Sequence, residues 1–156
     1  MTTIIDTVLQ EMIDAPLNGI SVVNGFMNDV SVLPGWMVHY VNDLMGAGSA
    51  LSLPAVAFQP VSDITVGVSG KSKIKNNRIT RVIGAVSVVD RAAVNQNLNS
   101  LLFDVRKALA VNNNDNPMAG ITLDFGTANF NLPDSQDQYA FFELDITISY
   151  IEVLNP

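Results

Sequence analysis

The residue types that carry out most protein chemistry are scarce in this chain of 156 residues. It has no Cys and a single His, His39. Without thiols, disulfide frameworks, cysteine nucleophiles and cysteine zinc sites are excluded. His39 lies between Val38 and Tyr40 in a run of helical spacing. It has no second His to share a metal and no HExxH pattern around it, so it reads as a packing or surface residue. Carboxylates are more plentiful. Asp134 and Asp137 share a turn, and Glu143 and Asp145 alternate on one strand face. In a common pocket either pair could do acid–base work or hold a hard cation. Neither has a companion base, so both read as solvated or interface faces. The run Asn112 to Asn116 lacks the glycine and closing Glu of a calcium loop. No GxGxxG, Walker-type or GxSxG sequence occurs. The inventory points away from an enzyme and calls for neither cofactor nor metal.

Charge carries more information. The formal net charge is −7, from 15 acids and 8 bases, and 48% of residues are hydrophobic. Such a chain is long and apolar enough for one domain with a sizeable core, and disorder is excluded. An acidic total disfavours sequence-independent phosphate binding. Yet the charges are segregated. Residues 1–70 hold six acids and no Lys or Arg, residues 71–107 hold all eight bases and two acids, and residues 108–156 hold seven acids and no Lys or Arg. This segregation asks for a functional account.

The elements follow from periodicity. Thr3 with Asp6 resembles a capping box ahead of Ile5, Val8, Leu9, Met12 and Ile13, which predicts a helix over 3–14 ending before Pro16. That run has no basic leader and does not read as a signal peptide. Asn18-Gly19 and Asn24-Gly25 flank a predicted short strand at 20–23. Trp36 to Met45 has helical spacing, and Gly46 to Ser52 reads as a loop. Leu53 to Phe58 reads as a short strand bounded by Pro54 and Pro60, suited to a sheet edge. Interrupted by prolines and serines, the uncharged stretch between Asp43 and Asp63 does not read as a membrane span, and a soluble protein is expected.

Ile64 to Val89 reads as a long hairpin with Asn76-Asn77 as its two-residue turn. Pairing Lys75 with Arg78 gathers Ile64, Val66, Val68, Ile74, Ile79, Ile83 and Ala85 on one face. Lys71, Lys73, Lys75, Arg78 and Thr80 then share the other. Asp90 caps a predicted amphipathic helix at 91–111, with Arg106 and Lys107 near its C-terminus. Two strands follow. The first has a bulge at Gly126 between Ile121, Leu123, Phe125 and Ala128, Phe130, Leu132. After a turn at 133–137 the second puts Ala140, Phe142, Leu144, Ile146, Ile148 and Tyr150 on one face, and is long enough for its last residues to run past the sheet. The expected fold is a single α+β domain, an antiparallel-rich sheet with a long amphipathic helix on one face and a projecting hairpin, residues 15–50 forming an irregular insert.

From Leu53 onward the chain resembles the tail terminator (tail completion) proteins of tailed bacteriophages. The residues that carry the resemblance are Leu53-Pro54-Ala55-Val56, then Arg78 to Val88 leading into the long helix, and Phe141 to Tyr150 near the C-terminus. The resemblance implies a non-enzymatic virion protein of the tail or neck, assembled in the host cytoplasm. It implies a homohexameric ring that caps the tail tube, stops its growth and joins tail to head. Tail tube and head–tail connector proteins are the implied partners, with genomic DNA passing through the lumen without sequence-specific binding and no membrane involved. No individual functional residue carries over.

The residues themselves suggest a projecting basic arm that meets an acidic surface. Its candidates are Lys71, Lys73, Lys75, Arg78 and Arg81, with Glu143 and Asp145 as acidic counterparts. Against this stand a solvated edge guarded by Lys, another connector, tube or sheath-capping ring protein, a small-ligand module with an apolar pocket beside Trp36 and Tyr40, and a DNA-binding protein. The last is disfavoured because the arm lacks aromatic residues for stacking.

Overall fold

The computed structural model describes residues 2–40, 52–70, 72–115, 120–131 and 138–154. They form one α+β domain, as expected. Its sheet has five strands: β1 (Ser31–Val32), β2 (Ala55–Ser69), β3 (Lys73–Ser87), β4 (Thr122–Asn131) and β5 (Tyr139–Val153), in the spatial order β1-β2-β3-β5-β4. The β1–β2 pair is parallel and the other three are antiparallel.

The N-terminal helix begins with the predicted capping box. Thr3 N–H donates to Asp6 Oδ2 at 2.9 Å and Asp6 N–H donates to Thr3 Oγ1 at 3.3 Å. The Thr3 hydroxyl, and then its backbone N–H, hold the Asp6 carboxyl below its usual pKa. Pro16 does not end the helix. The chain runs from α1 (Ile4–Leu9) through a π-helical turn at Gln10–Asp14 into α2 (Ala15–Asn18). In the widened turn Ala15 N–H donates to the Gln10 carbonyl, five residues back. This loosens the carbonyl ladder where a proline ring would otherwise collide with it.

Helix α3 (Val94–Asp115) is about 33 Å long at 1.5 Å per residue. It starts later than predicted because Asp90 caps a preceding turn, its carboxylate accepting from Ala92 N–H at 3.2 Å and its carbonyl from Ala93 N–H at 3.1 Å. It also runs through the asparagines that were expected to stop it, since extending a nucleated helix costs each Asn only a few tenths of a kcal/mol. Arg106 and Lys107 therefore lie well inside it rather than in its last turn. Its predicted apolar face is buried throughout, from Val94 and Leu98 to Leu109. That face packs with Ile5, Val8, Met12, Ile13 and Leu17 against Val82, Val86 and the even-numbered residues of β5 from Ala140 to Tyr150. Fully burying each large side chain of this set contributes roughly 1.5–3 kcal/mol.

β5 matches its predicted alternation but does not leave the sheet. It pairs with β3 without interruption from Tyr139↔Ser87 to Val153↔Lys73. β4 has the predicted bulge: the register shifts between Phe125 and Ala128, and a Cβ on Gly126 would come within 3.0 Å of the Asp145 carbonyl.

Three further expectations fail. Residues 20–23 are not a strand. Ser21 caps a 3₁₀ turn at Val22–Asn24, closed by Gly25 at φ 87°, and of this run only Ile20 is buried. The short strand at 53–58 is instead the start of the fifteen-residue β2, which carries Pro60 inside it. Beyond Val56, β2 pairs only with β3, so the missing proline N–H falls on a free edge.

The hairpin exists, but the chain reverses between Ser69 and Lys73, not at Asn76-Asn77. Gly70 supplies the positive φ of 69°, while Asn76 and Asn77 pair with Thr65 and Ile64 in mid-strand. Bulges at Val61 and Val66 each shift the register by one, which breaks the alternation from which the turn was inferred. The predicted apolar set therefore splits. Ile83 and Ala85 face away from α3, whereas Ile64, Val66 and Val68 are exposed.

A smaller core covers part of the second sheet face. Leu33 and Met37, from the segment expected to be an irregular insert, pack on Ala55, Ala57, Ile83 and Ala85. The helix predicted at 36–45 is described only to Tyr40, whose hydroxyl donates to the Pro34 carbonyl. The expected loop at 46–51, Lys71, Leu132, and the turn with Asp134 and Asp137 lie outside the described residues.

Candidate interaction surface

In an uninterrupted strand, alternate residues take opposite faces. Even-numbered residues of β3 face α3 and odd-numbered ones face away. Lys73, Lys75 and Arg81 thus share the second face, while Arg78 and Thr80 lie on the helix side. The sequence-based register had put Lys73, Lys75, Arg78 and Thr80 together, and had opposed Lys75 to Arg78. They are three residues apart on one strand.

On the second face Arg81 sits between β2 and β5. Its Nε donates to Asp145 Oδ1 at 2.8 Å and its Nη2 to Asp145 Oδ2 at 3.3 Å. Glu143 Oε2 stands 3.9 Å from Arg81 Nη1. The Asp145 hydrogen bond, chiefly, raises the Arg81 pKa despite partial burial. Beside this group Ser149 donates to Asn77 Oδ1 at 2.7 Å. Both predicted acidic counterparts are therefore engaged, in part, by a base of the same chain.

On the helix side, Arg78 Nε and the Tyr150 hydroxyl both donate to Asp63 Oδ2, at 2.8 and 2.6 Å. Burial first, and then the Asp63 hydrogen bond, push the Tyr150 phenol up to about 12. Next to it Thr65 donates to Asn76 Oδ1 at 3.0 Å, and Asn76 Nδ2 donates to Glu152 Oε2 at 3.2 Å. These polar groups close the far end of the core. Tyr150 was expected on the buried face, as found, but Asp63 was not singled out as its partner, because the bulges in β2 obscure which residues Asp63 opposes.

The charge segregation thus has a structural origin. The basic strand β3 lies between β2, from the first acidic block, and β5, from the last. Elsewhere, Lys107 lies 5.0 Å over the Phe26 ring and donates to the Gly25 carbonyl. Asp104, fully buried, accepts from the backbone N–H groups of Met27 and Asn28. Lys73 and Lys75 differ: both are exposed, and neither is in an ion pair among the described residues. They flank the tip of β2, β3 and β5, where Val66, Val68, Ile151, Val153 and Leu154 are exposed as well.

A cavity of about 380 Å³ opens on the second face, where Trp36 and Phe141 form walls, Ile83 lies beneath, and Gln59, Asn131 and Glu143 supply polar groups. Its position beside Trp36 matches the sequence-based alternative, although Tyr40 is not part of its lining. Among the described residues no group of three or more His, Asp or Glu could hold a metal ion. No described helix is long and apolar enough to cross a membrane. No protein-family model matches the chain, and no curated protein matches it in sequence.

Proposed function

We propose that this protein is a structural subunit of a bacteriophage tail or neck, a tail terminator that self-associates into a homohexameric ring. The ring caps the tail tube, ends its growth and joins the tail to the head connector, with DNA passing through its lumen. The family assignment rests on the resemblance over Leu53 to Tyr150.

The observation that carries the assembly reading is the tip of the three fifteen-residue strands. There Lys73 and Lys75, in no ion pair among the described residues, share a sheet face with exposed Ile151 and Val153, and Val66, Val68 and Leu154 are exposed at the same tip. A cluster of exposed apolar side chains with a charged rim is the usual mark of a protein–protein contact. A net charge of −7 leaves other surfaces acidic, so a second copy offers the complementary sign.

The test is to replace Lys71, Lys73 and Lys75 together by Glu. Mass photometry of the wild type should give one hexamer-sized species. The variant should remain monomeric with an unchanged thermal melt. Normal rings from the variant, or a monomeric wild type at micromolar concentration, overturn the reading.

A further inference from the structure

The tip has a counterpart on the same chain. Strand β4 lies at the far end of the sheet, and its outer edge pairs with no described strand. Native sheets guard such edges with Lys, Pro or bulges. β4 has its bulge, but residues 122–131 contain no Pro, Lys or Arg. Phe125 and Phe130, opposite Ile146 and Phe142, are exposed there on the helix side. A cavity of about 350 Å³ lies between Phe130 and α3, lined by Leu98, Asn95 and Asn99. Asp124, opposite Thr147, is exposed on the second face and is in no ion pair among the described residues.

The β2 margin of the tip is sorted in the same way, with the opposite charge. Exposed Val68, opposite Ile74, lies on the helix side, and Lys73 and Lys75 lie on the second face. Gly67, opposite Lys75, puts no side chain between that lysine and the open margin. β2 and β4 also run in opposite directions, because three antiparallel pairings separate them. Rotating a second copy about an axis roughly along the strands sets its β2 margin antiparallel to β4, with like faces on the same side. Apolar then meets apolar on the helix side, and base meets acid on the second face. Strands tilted to such an axis are staggered from copy to copy. The stagger lets the tip, which extends beyond the level of Thr122, reach Asp124.

We propose that the outer edge of β4 is the surface on which the tip of a second copy docks, with Val68 against Phe125, and Lys73 and Lys75 against Asp124. This docking rests on the self-association proposed above and names the surface that receives the tip. Tip and edge are different surfaces, so the contact is heterologous, and a rotation that closes turns it into a ring.

Exchange of charge tests it. Asp124→Lys, and Lys73→Glu with Lys75→Glu, should each keep the wild-type thermal melt. Each should be monomeric by mass photometry where the wild type is hexameric. Mixed in equal amounts they should form hexamers, because alternating copies match acid to base at every contact. Rings from Asp124→Lys alone, or none from the mixture, overturn the proposal and leave the self-association reading standing. A monomeric wild type overturns both. The chain has no Cys, so engineered thiols give a second readout that decides the matter if Asp124→Lys melts early. Copies carrying Val68→Cys should be joined by a short bismaleimide to copies carrying Phe125→Cys. Links only between like copies mark a two-fold contact and overturn the proposal.

Discussion

Phe142 lies across Gly84: its ring, on β5, fills the space above β3 where any other residue at position 84 would carry its Cβ. The Leu101 side chain of α3 would also come within 3.0 Å of that atom. The glycine is thus where the long helix, the aromatic ring and the strand backbone come closest. It is required for space rather than for an unusual φ.

Gly84→Ala is accordingly expected to destabilise the domain. Overpacking a close-packed core typically costs about 1–3 kcal/mol, and neither neighbour has a free direction of retreat. Chemical denaturation should show a lower midpoint. A double variant with Phe142→Leu should recover part of the loss, since the smaller side chain vacates the space. No recovery in the double variant would point to strand backbone strain instead.

Arg81 and Asp145 make the second prediction. Each side chain is about one-third exposed, 32% and 33%, so solvent screening keeps their pair to roughly 1 kcal/mol. Arg81→Asp and Asp145→Arg should each lower the melting temperature, because each puts like charges on adjacent strands. Combining them should restore most of the loss. If the single variants melt normally but change the oligomeric state, the two residues act mainly between copies.

Tyr150 supplies a pH dependence. Its phenol is raised in the folded chain to about 12 from the usual 10. The stabilisation is fully present below pH 10, where both folded and unfolded chains are protonated. It is lost as pH rises from about 10 through about 12, because only the unfolded chain ionises readily there. Stability measured between pH 9 and 12 should fall more steeply in the wild type than in Tyr150→Phe. The late phenolate transition in ultraviolet absorbance should disappear with the same substitution. Parallel slopes in both proteins would show that the phenol does not titrate late.

The sequence was most informative where a single unbroken period ran through a half-buried element. In β5, Ala140 to Tyr150 alternate without a bulge, and the buried face was legible residue by residue. The same held for Val94 to Leu109 of α3, and for Thr3 with Asp6, whose capping needs only local spacing. β2 was misread because Val61 and Val66 each insert one residue, so the period restarts twice within fifteen. That left Asn76-Asn77 as the strongest turn signal, although their side chains bond to Thr65, Glu152 and Ser149. Gly70 was the actual turn residue.

The surface was harder to read than the fold for the same reason. Lys73 and Lys75 could be recognised as a basic tip, but the pairing of Arg81 with Asp145 depends on which strand lies beside β3. The cavity draws Trp36, Gln59, Ile83, Phe141 and Glu143 from four distant segments. Trp36 was pointed to beforehand as a pocket residue and Glu143 as an interface carboxylate, but not as neighbours of each other.

The position of β5 also bears on the order in which the molecule can be made. It is the last of the five described strands in sequence order, yet it stands inside the sheet, joining β3 on one side to β4 on the other. Until it emerges from the ribosome, β4 has no neighbour, Arg81 has no carboxylate, and Gly84 has no ring above it. The growing chain can therefore form the β1–β2 pair, the β2–β3 hairpin and its helices in advance, but no more of the sheet. The sheet closes in one late event, when a single fifteen-residue strand pairs on both sides at once.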